Sequence, residues 1–108
     1  MLDIARGRSA ALSAASADVL LKPRAGGSLR AGFDGKSDGV SAAGTVMGRR
    51  TFGHLGFTGT SVWCDPDLDC VIALLTNRVC PTRENLLIRA ARPKIHDALA
   101  RLAVERCR

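Results

Sequence analysis

The stretch Phe52-Gly53-His54-Leu55-Gly56-Phe57-Thr58-Gly59-Thr60 decides how this chain is read, because it sets an imidazole between glycines just ahead of an apolar run. Glycines 53, 56 and 59 let a ligand approach the backbone closely and leave amide N–H groups uncovered. His54 adds a side chain able to donate or accept a proton. This is the composition of a strand edge lining a cleft, and the flanking sequence tells what such a strand would belong to.

Downstream, Thr60 to Cys64 alternates small polar and apolar residues, and Asp65-Pro66-Asp67 is a turn signal. Cys70-Val71-Ile72-Ala73-Leu74-Leu75 then resumes the apolar pattern, which predicts an antiparallel hairpin. Its second strand is apolar on both faces, so it is expected at a central position with layers on either side. One layer is a C-terminal helix, in which Ile95, Ala98, Leu99, Leu102 and Ala103 form an apolar stripe and Pro93 suits the first turn. Asp97 and Arg101 are expected on its outer face, pairing for roughly 0.3 kcal/mol. His96, inside the helix, reads as structural.

Upstream, Leu2 to Ala5 reads as a helical turn closed by Gly7, beginning without a cap or an upstream body. Ser13 is a candidate N-cap for a helix over residues 14–22, with Leu12, Ala15, Val19 and Leu20 on its buried face and Pro23 as its stop. A short strand is expected at Ser28 to Phe33. The Gly-, Ser- and Ala-rich stretch from Asp34 to Gly48 has no periodicity and reads as a long loop, either a border of a ligand site or slack in a damaged sequence.

Composition narrows the function classes. With 46% hydrophobic and 24% charged residues, the 108-residue chain has the make-up of one folded unit rather than a disordered one. One Trp, three Phe and no Tyr leave the core to lean on alanine, which buries little area. No apolar run of about 18 residues and no signal-peptide pattern occurs, so no membrane span or targeting segment is expected. The compartment is not set by these features.

The net charge of +6 is spread over Arg6, Arg8, Lys22, Arg24, Arg49, Arg50 and the C-terminal third, which favours a solvated basic surface. The competing reading is a small basic binding module for an acidic partner such as RNA, resting on that charge and on the Arg-rich segment from Arg83 to Lys94. Few aromatics for base stacking and no nucleic-acid motif stand against it. Steeply salt-sensitive RNA binding would distinguish it.

The four cysteines, 64, 70, 80 and 107, form no Cys-x-x-Cys pair and have no histidine at ligand spacing, so neither zinc nor any cofactor is expected. Buried free thiols are preferred over a cross-strand contact between Cys64 and Cys70. Gly35-Lys36-Ser37 matches the tail of a phosphate loop, yet Arg30 stands where that pattern needs glycine. A triad of Ser61, His54 and an aspartate lacks any nucleophile-elbow sequence.

In order, the Gly-His-Leu-Gly strand, the glycine turn, Phe57-Thr58-Gly59-Thr60-Ser61-Val62-Trp63, Asp65-Pro66, Leu74-Leu75-Thr76-Asn77-Arg78 and a long helix resemble the C-terminal end of the β-lactamase-like serine hydrolases. That family groups class C β-lactamases, DD-peptidases and esterases, including penicillin-binding proteins. The resemblance is strong over residues 52–106 and weaker from Leu2 to Asp34. It implies an α+β fold, part of the β-lactamase/transpeptidase architecture, with antiparallel strands and a C-terminal helix packed on the sheet. Residues 1–33 would be a lead-in, 34–51 a loop, and 52–108 the third-motif strand, hairpin and helix.

In the family, a Ser from Ser-x-x-Lys attacks an ester or amide carbonyl, Lys and a Tyr from Tyr-x-Asn move protons, and water releases the acyl-enzyme. The third motif, Lys-Thr-Gly or His-Thr-Gly, forms the opposite wall. Carried over, His54 contacts substrate or the Tyr, the Phe57 N–H completes the oxyanion hole, and Leu55 and Gly56 border the substrate. A structural histidine bonded to a neighbouring carbonyl is the alternative for His54. Leu55 replaces the usual Thr, which removes a hydroxyl that can face substrate. The sequence has no Ser-x-x-Lys and no Tyr. The resemblance therefore implies a hydrolase piece, inactive alone, whose partners are a small ester, amide or β-lactam substrate and an N-terminal segment that carries the nucleophile.

Overall fold

The computed structural model describes residues 1–106, so Cys107 lies outside the described residues. Four strands, β1 (Asp34–Gly35), β2 (Phe52–Leu55), β3 (Ser61–Asp65) and β4 (Cys70–Leu74), form one antiparallel sheet in the order β1-β2-β3-β4. Three helices, α1 (Leu2–Ala5), α2 (Ala14–Leu21) and α3 (Ile88–Arg106), complete the elements. The fold is α+β as expected, and α3 packs against β4.

The hairpin forms where the turn signal places it. Cα partners run from Ser61↔Leu74 to Asp65↔Cys70. The buried Asp65 carboxylate accepts from the N–H groups of Asp67 and Leu68, closing the turn, and from Gly48 N–H at 2.6 Å, which ties the long loop to β3. Cys64 faces Val71 and Cys70 faces Asp65, so the two cysteines are not opposite each other. Cys64 is a buried free thiol and burial pushes its pKa up to about 11, but Cys80 is exposed, contrary to the expectation of burial for all.

Residues directly opposite in an antiparallel sheet share a face. Gly53, Trp63 and Ile72 therefore lie on one side, with Leu55, Ser61 and Leu74. There Trp63 and Ile72 join Ala43, Met47 and Ala100 in the main core cluster, drawing on loop, sheet and α3. On the other side Phe52 meets Phe33 edge-to-face at 5.1 Å, and Arg6 of the segment after α1 pairs with Asp69 at the hairpin turn. Val71 and Ala73 on that side are exposed. β4 is thus an edge strand covered on one face only, not the central strand its composition predicts. The layer needed to bury its second face is not present among the described residues.

Three other expectations change. Ser28 to Phe33 forms no strand, only the bridge Leu29↔Asp34, because β1 is limited to two residues opposite Phe52 and Gly53. Helix α2 starts at the Ser13 cap, whose hydroxyl accepts from Ser16 N–H, but it buries Ala17 and leaves Ala15 and Val19 exposed, since no sheet face lies against the predicted stripe. Helix α3 begins at Ile88, five residues before Pro93, so this proline sits inside it rather than in its first turn. Asn85 Oδ1 accepts from Leu87 N–H just before that start.

The rotation of α3 also differs. It buries Arg92, His96 and Ala100 and leaves Leu99 and Leu102 at 37% and 44% exposure. Asp97 consequently turns to the long loop instead of pairing outward with Arg101. Its carboxylate accepts from the N–H groups of Thr45 and Val46, at 2.6 and 2.9 Å, and from the Thr45 hydroxyl. Gly44, with φ of +81°, lies so close to Asp97 and the Pro93 carbonyl that a side chain there would collide with both. Asp97→Ala, losing three hydrogen bonds to a carboxylate, is expected to lower stability by about 2 kcal/mol, read by urea denaturation, with Asp97→Asn costing less.

Candidate active-site wall

β2 ends in the turn 56–60, whose shape its own backbone sets. Gly56 N–H donates to Thr60 C=O at 2.8 Å and Gly59 N–H donates to Gly56 C=O at 3.0 Å. Gly59 has φ of +91°, and a β-carbon at Gly56 would collide with the Thr60 side chain. Both positions need glycine. The segment after β4 clamps this turn: Arg78 N–H and the Thr76 hydroxyl donate to Thr58 C=O at 2.9 Å, and Arg78 Nε donates to Phe57 C=O at 2.8 Å. The Arg78 guanidinium also lies 4.6 Å from the Phe57 ring centroid.

The turn leaves the Phe57 N–H unused. Phe57 N–H has no acceptor among the described residues, and its carbonyl is held by Arg78. The Phe57 N–H shares its peptide plane with the Gly56 carbonyl, which accepts from Gly59 N–H, and that bond sets the direction of the Phe57 N–H. The role of Arg78 escaped sequence reading because only the return of the chain past β4 brings it beside Phe57.

His54 is exposed on the face that carries Val62 and Ala73. Its Nδ1 lies 2.8 Å from Leu55 C=O. A carbonyl can only accept, so Nδ1 carries the hydrogen of this bond, and in the neutral ring Nε2 presents its lone pair to solvent. The local bond that a structural reading supposes therefore orients the ring without using up its second nitrogen. Leu55 points the other way and packs against the core cluster, while Gly56 is half-buried. His54 and Phe57 thus occupy the strand end and the following turn, with Leu55 turned inward between them.

Ser61 does not meet His54. Its hydroxyl is 2.8 Å from Nε2 of His96, and both residues are buried, which removes Ser61 as a member of the triad considered from sequence. His96 Nδ1 has no hydrogen-bond partner among the described residues. The tautomer that donates from Nε2 to Ser61 leaves only a lone pair unmet, whereas protonation would add a buried N–H without an acceptor. Burial, and then the nearby Arg92, lower the His96 pKa accordingly.

The phosphate-loop reading fails on geometry. Gly35 ends β1, and no helix follows Ser37 before β2. Lys36 Nζ is bonded to the carbonyls of Thr45 and Met47. The long loop does border a cavity of about 660 Å³, lined by Arg30, Lys36, Asp38, Thr45 and Arg49 among others, but His54 and Phe57 are not part of it. No group of three metal-ligating side chains occurs among the described residues. No helix of the described residues is long and apolar enough to cross a membrane.

An antiparallel sheet with a C-terminal helix on one face, and a Gly-His-Leu-Gly strand running into a glycine turn, define part of a serine-hydrolase domain. The family model described as Beta-lactamase matches residues 5–95 of the 108, and the chain belongs to that family as a partial domain. The match reaches back through α2 to the last residue of α1, beyond the segment in which the resemblance is strongest. No curated protein and no solved structure matches this chain.

The lowered pKa of His96 has a definite sign for stability. The unfolded chain takes up a proton near the ordinary value of 6.5 and the folded chain only below it, so stability is fully present above pH 6.5 and is lost as pH falls through the folded value. Urea midpoints are expected to drop between pH 7.5 and pH 5.5, and His96→Gln is expected to flatten that drop while lowering stability at pH 7.5 by about 1–3 kcal/mol.

Proposed function

We propose that this chain supplies the third-motif wall of an acyl-transfer site of the esterase type within the β-lactamase family, and that it has no turnover by itself. The observation that carries the reading is the pairing of an exposed, oriented imidazole at His54 with an unused N–H at Phe57 on one rigid strand end. The Phe57 N–H meets negative charge that appears on the carbonyl oxygen as the tetrahedral intermediate forms. A donor of this kind contributes on the order of 3 kcal/mol to the barrier. His54 Nε2 accepts a hydrogen bond from substrate or from a proton-relay group across the cleft.

Gly56 borders substrate between those two groups, while Leu55, turned to the opposite face of β2 and packed on the core cluster, offers no hydroxyl to bind it. Nucleophile and base come from elsewhere, because the sequence has neither Ser-x-x-Lys nor any Tyr. The substrate class is a small ester, amide or β-lactam. An N-terminal segment bearing the nucleophile would also supply the strands and cover that the open β4 edge lacks.

Hydrolysis of nitrocefin and of p-nitrophenyl esters by the isolated chain is expected to match that of His54→Ala within error. Turnover clearly above that control overturns the reading. Without its complement the chain is expected to self-associate through the exposed edge and face at Val71 and Ala73, as read by sedimentation velocity, with Val71→Lys reducing association. A monodisperse, cooperatively unfolding monomer would count against a missing segment.

A further inference from the structure

The long loop meets the segment after α2 around the cavity of about 660 Å³, beside the start of β2, where Gly35 pairs with Phe52. His54 and Phe57 lie toward and beyond the other end of that strand and take no part in it. Three cations from separate stretches line the cavity, Arg30, Lys36 and Arg49, against one carboxylate, Asp38. An adjoining hollow shares Ser28, Lys36, Ser37 and Asp38 and adds Arg24.

Arg30 and Lys36 are half-buried, and neither belongs to an ion pair among the described residues. Lys36 Nζ donates to the carbonyls of Thr45 and Met47, which fix the ammonium in the wall. Carbonyls do not cancel its charge, and one of its three hydrogens is left over. Arg30 spends Nη1 on Leu21 C=O and has no bond from Nε or Nη2. Gly35 lets it lie there, since a β-carbon at that position would meet Nε at 2.6 Å. Burial disfavours the charged form of Arg30, and the nearby Asp34 offsets only part of that cost. Arg49 is paired with Asp38 at 2.6 Å, but the two side chains are 88% and 90% exposed, where such a pair contributes little. Ser37, Asp38 and Gly39 add N–H groups that have no acceptor among the described residues, with Gly39 at φ of +77°.

We propose that this cavity binds a phosphate monoester, its phosphoryl group held by Arg30, Lys36 and Arg49, with Arg49 exchanging Asp38 for the ligand. With Arg24 and Asp34 included, four cations stand against two carboxylates, an excess that matches the roughly two negative charges of a monoester at neutral pH. Three terminal oxygens can meet donors from three segments, and the arginine forks suit pairs of them. The volume leaves room for an organic body beside the phosphoryl group. This is not a phosphate loop, because no helix follows Ser37 and the lysine is anchored to backbone. Binding here involves no residue of the β2 end and no acyl-enzyme, so it stands or falls separately from the hydrolase reading.

The test is a titration of the ¹⁵N-labelled chain at constant ionic strength with inorganic phosphate, with glycerol 3-phosphate and, as the uncharged control, with glycerol. NMR follows the amide signals of Ser37, Asp38 and Gly39 and the Arg30 Nε–H. Both phosphates are expected to shift these signals saturably, and glycerol is not. A tighter response to glycerol 3-phosphate assigns part of the affinity to the organic body, and equal responses assign it to the phosphoryl group. The exposed Arg49→Gln should weaken binding by about tenfold, the loss of a charge-assisted hydrogen bond, and Asp38→Asn should tighten it severalfold by releasing Arg49. No saturable shift with either phosphate overturns the proposal, as does a response to glycerol alone. So does an Arg49→Gln effect no larger than that of Arg101→Gln on α3, or an Asp38→Asn effect no larger than that of Glu105→Gln, since either marks a response to net charge rather than a site.

Discussion

The buried hydrogen bond between Ser61 of β3 and His96 of α3 sets how the helix lies on the sheet. A buried imidazole needs a partner, and Ser61 is the group that supplies one. With His96 turned inward, Arg92 and Ala100 follow on the adjacent turns of the same face, as 3.6-residue periodicity requires. Asp97, one residue on, then meets the N–H groups of Thr45 and Val46 and pins the loop that delivers Ala43 and Met47 to the core. Leu99 and Leu102 are left partly in solvent by the same rotation. One polar contact thus places a loop, a core cluster and an unpaired arginine.

The strand end that carries the candidate chemistry is held by a different device. Glycines 56 and 59 make the turn possible, and the chain returning after β4 makes it rigid through Thr76 and Arg78. Rigidity matters because an N–H donor stabilises developing charge only when it already points at the oxygen. The result is a wall with two oriented groups, His54 on one face of β2 and the Phe57 N–H just beyond its end. The family match covers this strand and turn, and the sequence has neither Ser-x-x-Lys nor Tyr.

Much of the fold was legible in local signals. The Ser13 cap, the turn at Asp65 to Asp67, the alternation in β3 and the glycine spacing after β2 each depend on residues close in sequence, and each appears where it was read. The candidate site was legible for the same reason, since His54, Leu55, Gly56 and Phe57 are consecutive. The errors share one origin. Apolar periodicity in α3 marks the stripe Ile95, Leu99 and Leu102 as buried, yet a polar pair across the fold overrides it. The apolar composition of β4 marks it as central, yet its neighbours among the described residues cover a single face.

The sequence by itself therefore determined the hairpin, the glycine turn, the Ser13 cap and the family to which the strand belongs, because these rest on backbone preferences and near neighbours. Only the tertiary structure decided which face of α3 is buried, that Ser61 belongs to His96 rather than His54, that Asp97 holds the long loop, and that Arg78 holds the Phe57 carbonyl. Each of those is a contact between groups 21 or more positions apart, from Phe57 and Arg78 at the near end to Thr45 and Asp97 at the far end. Such contacts are chosen by the need to satisfy buried polar groups within one packed shape, a condition that no local pattern in the chain encodes.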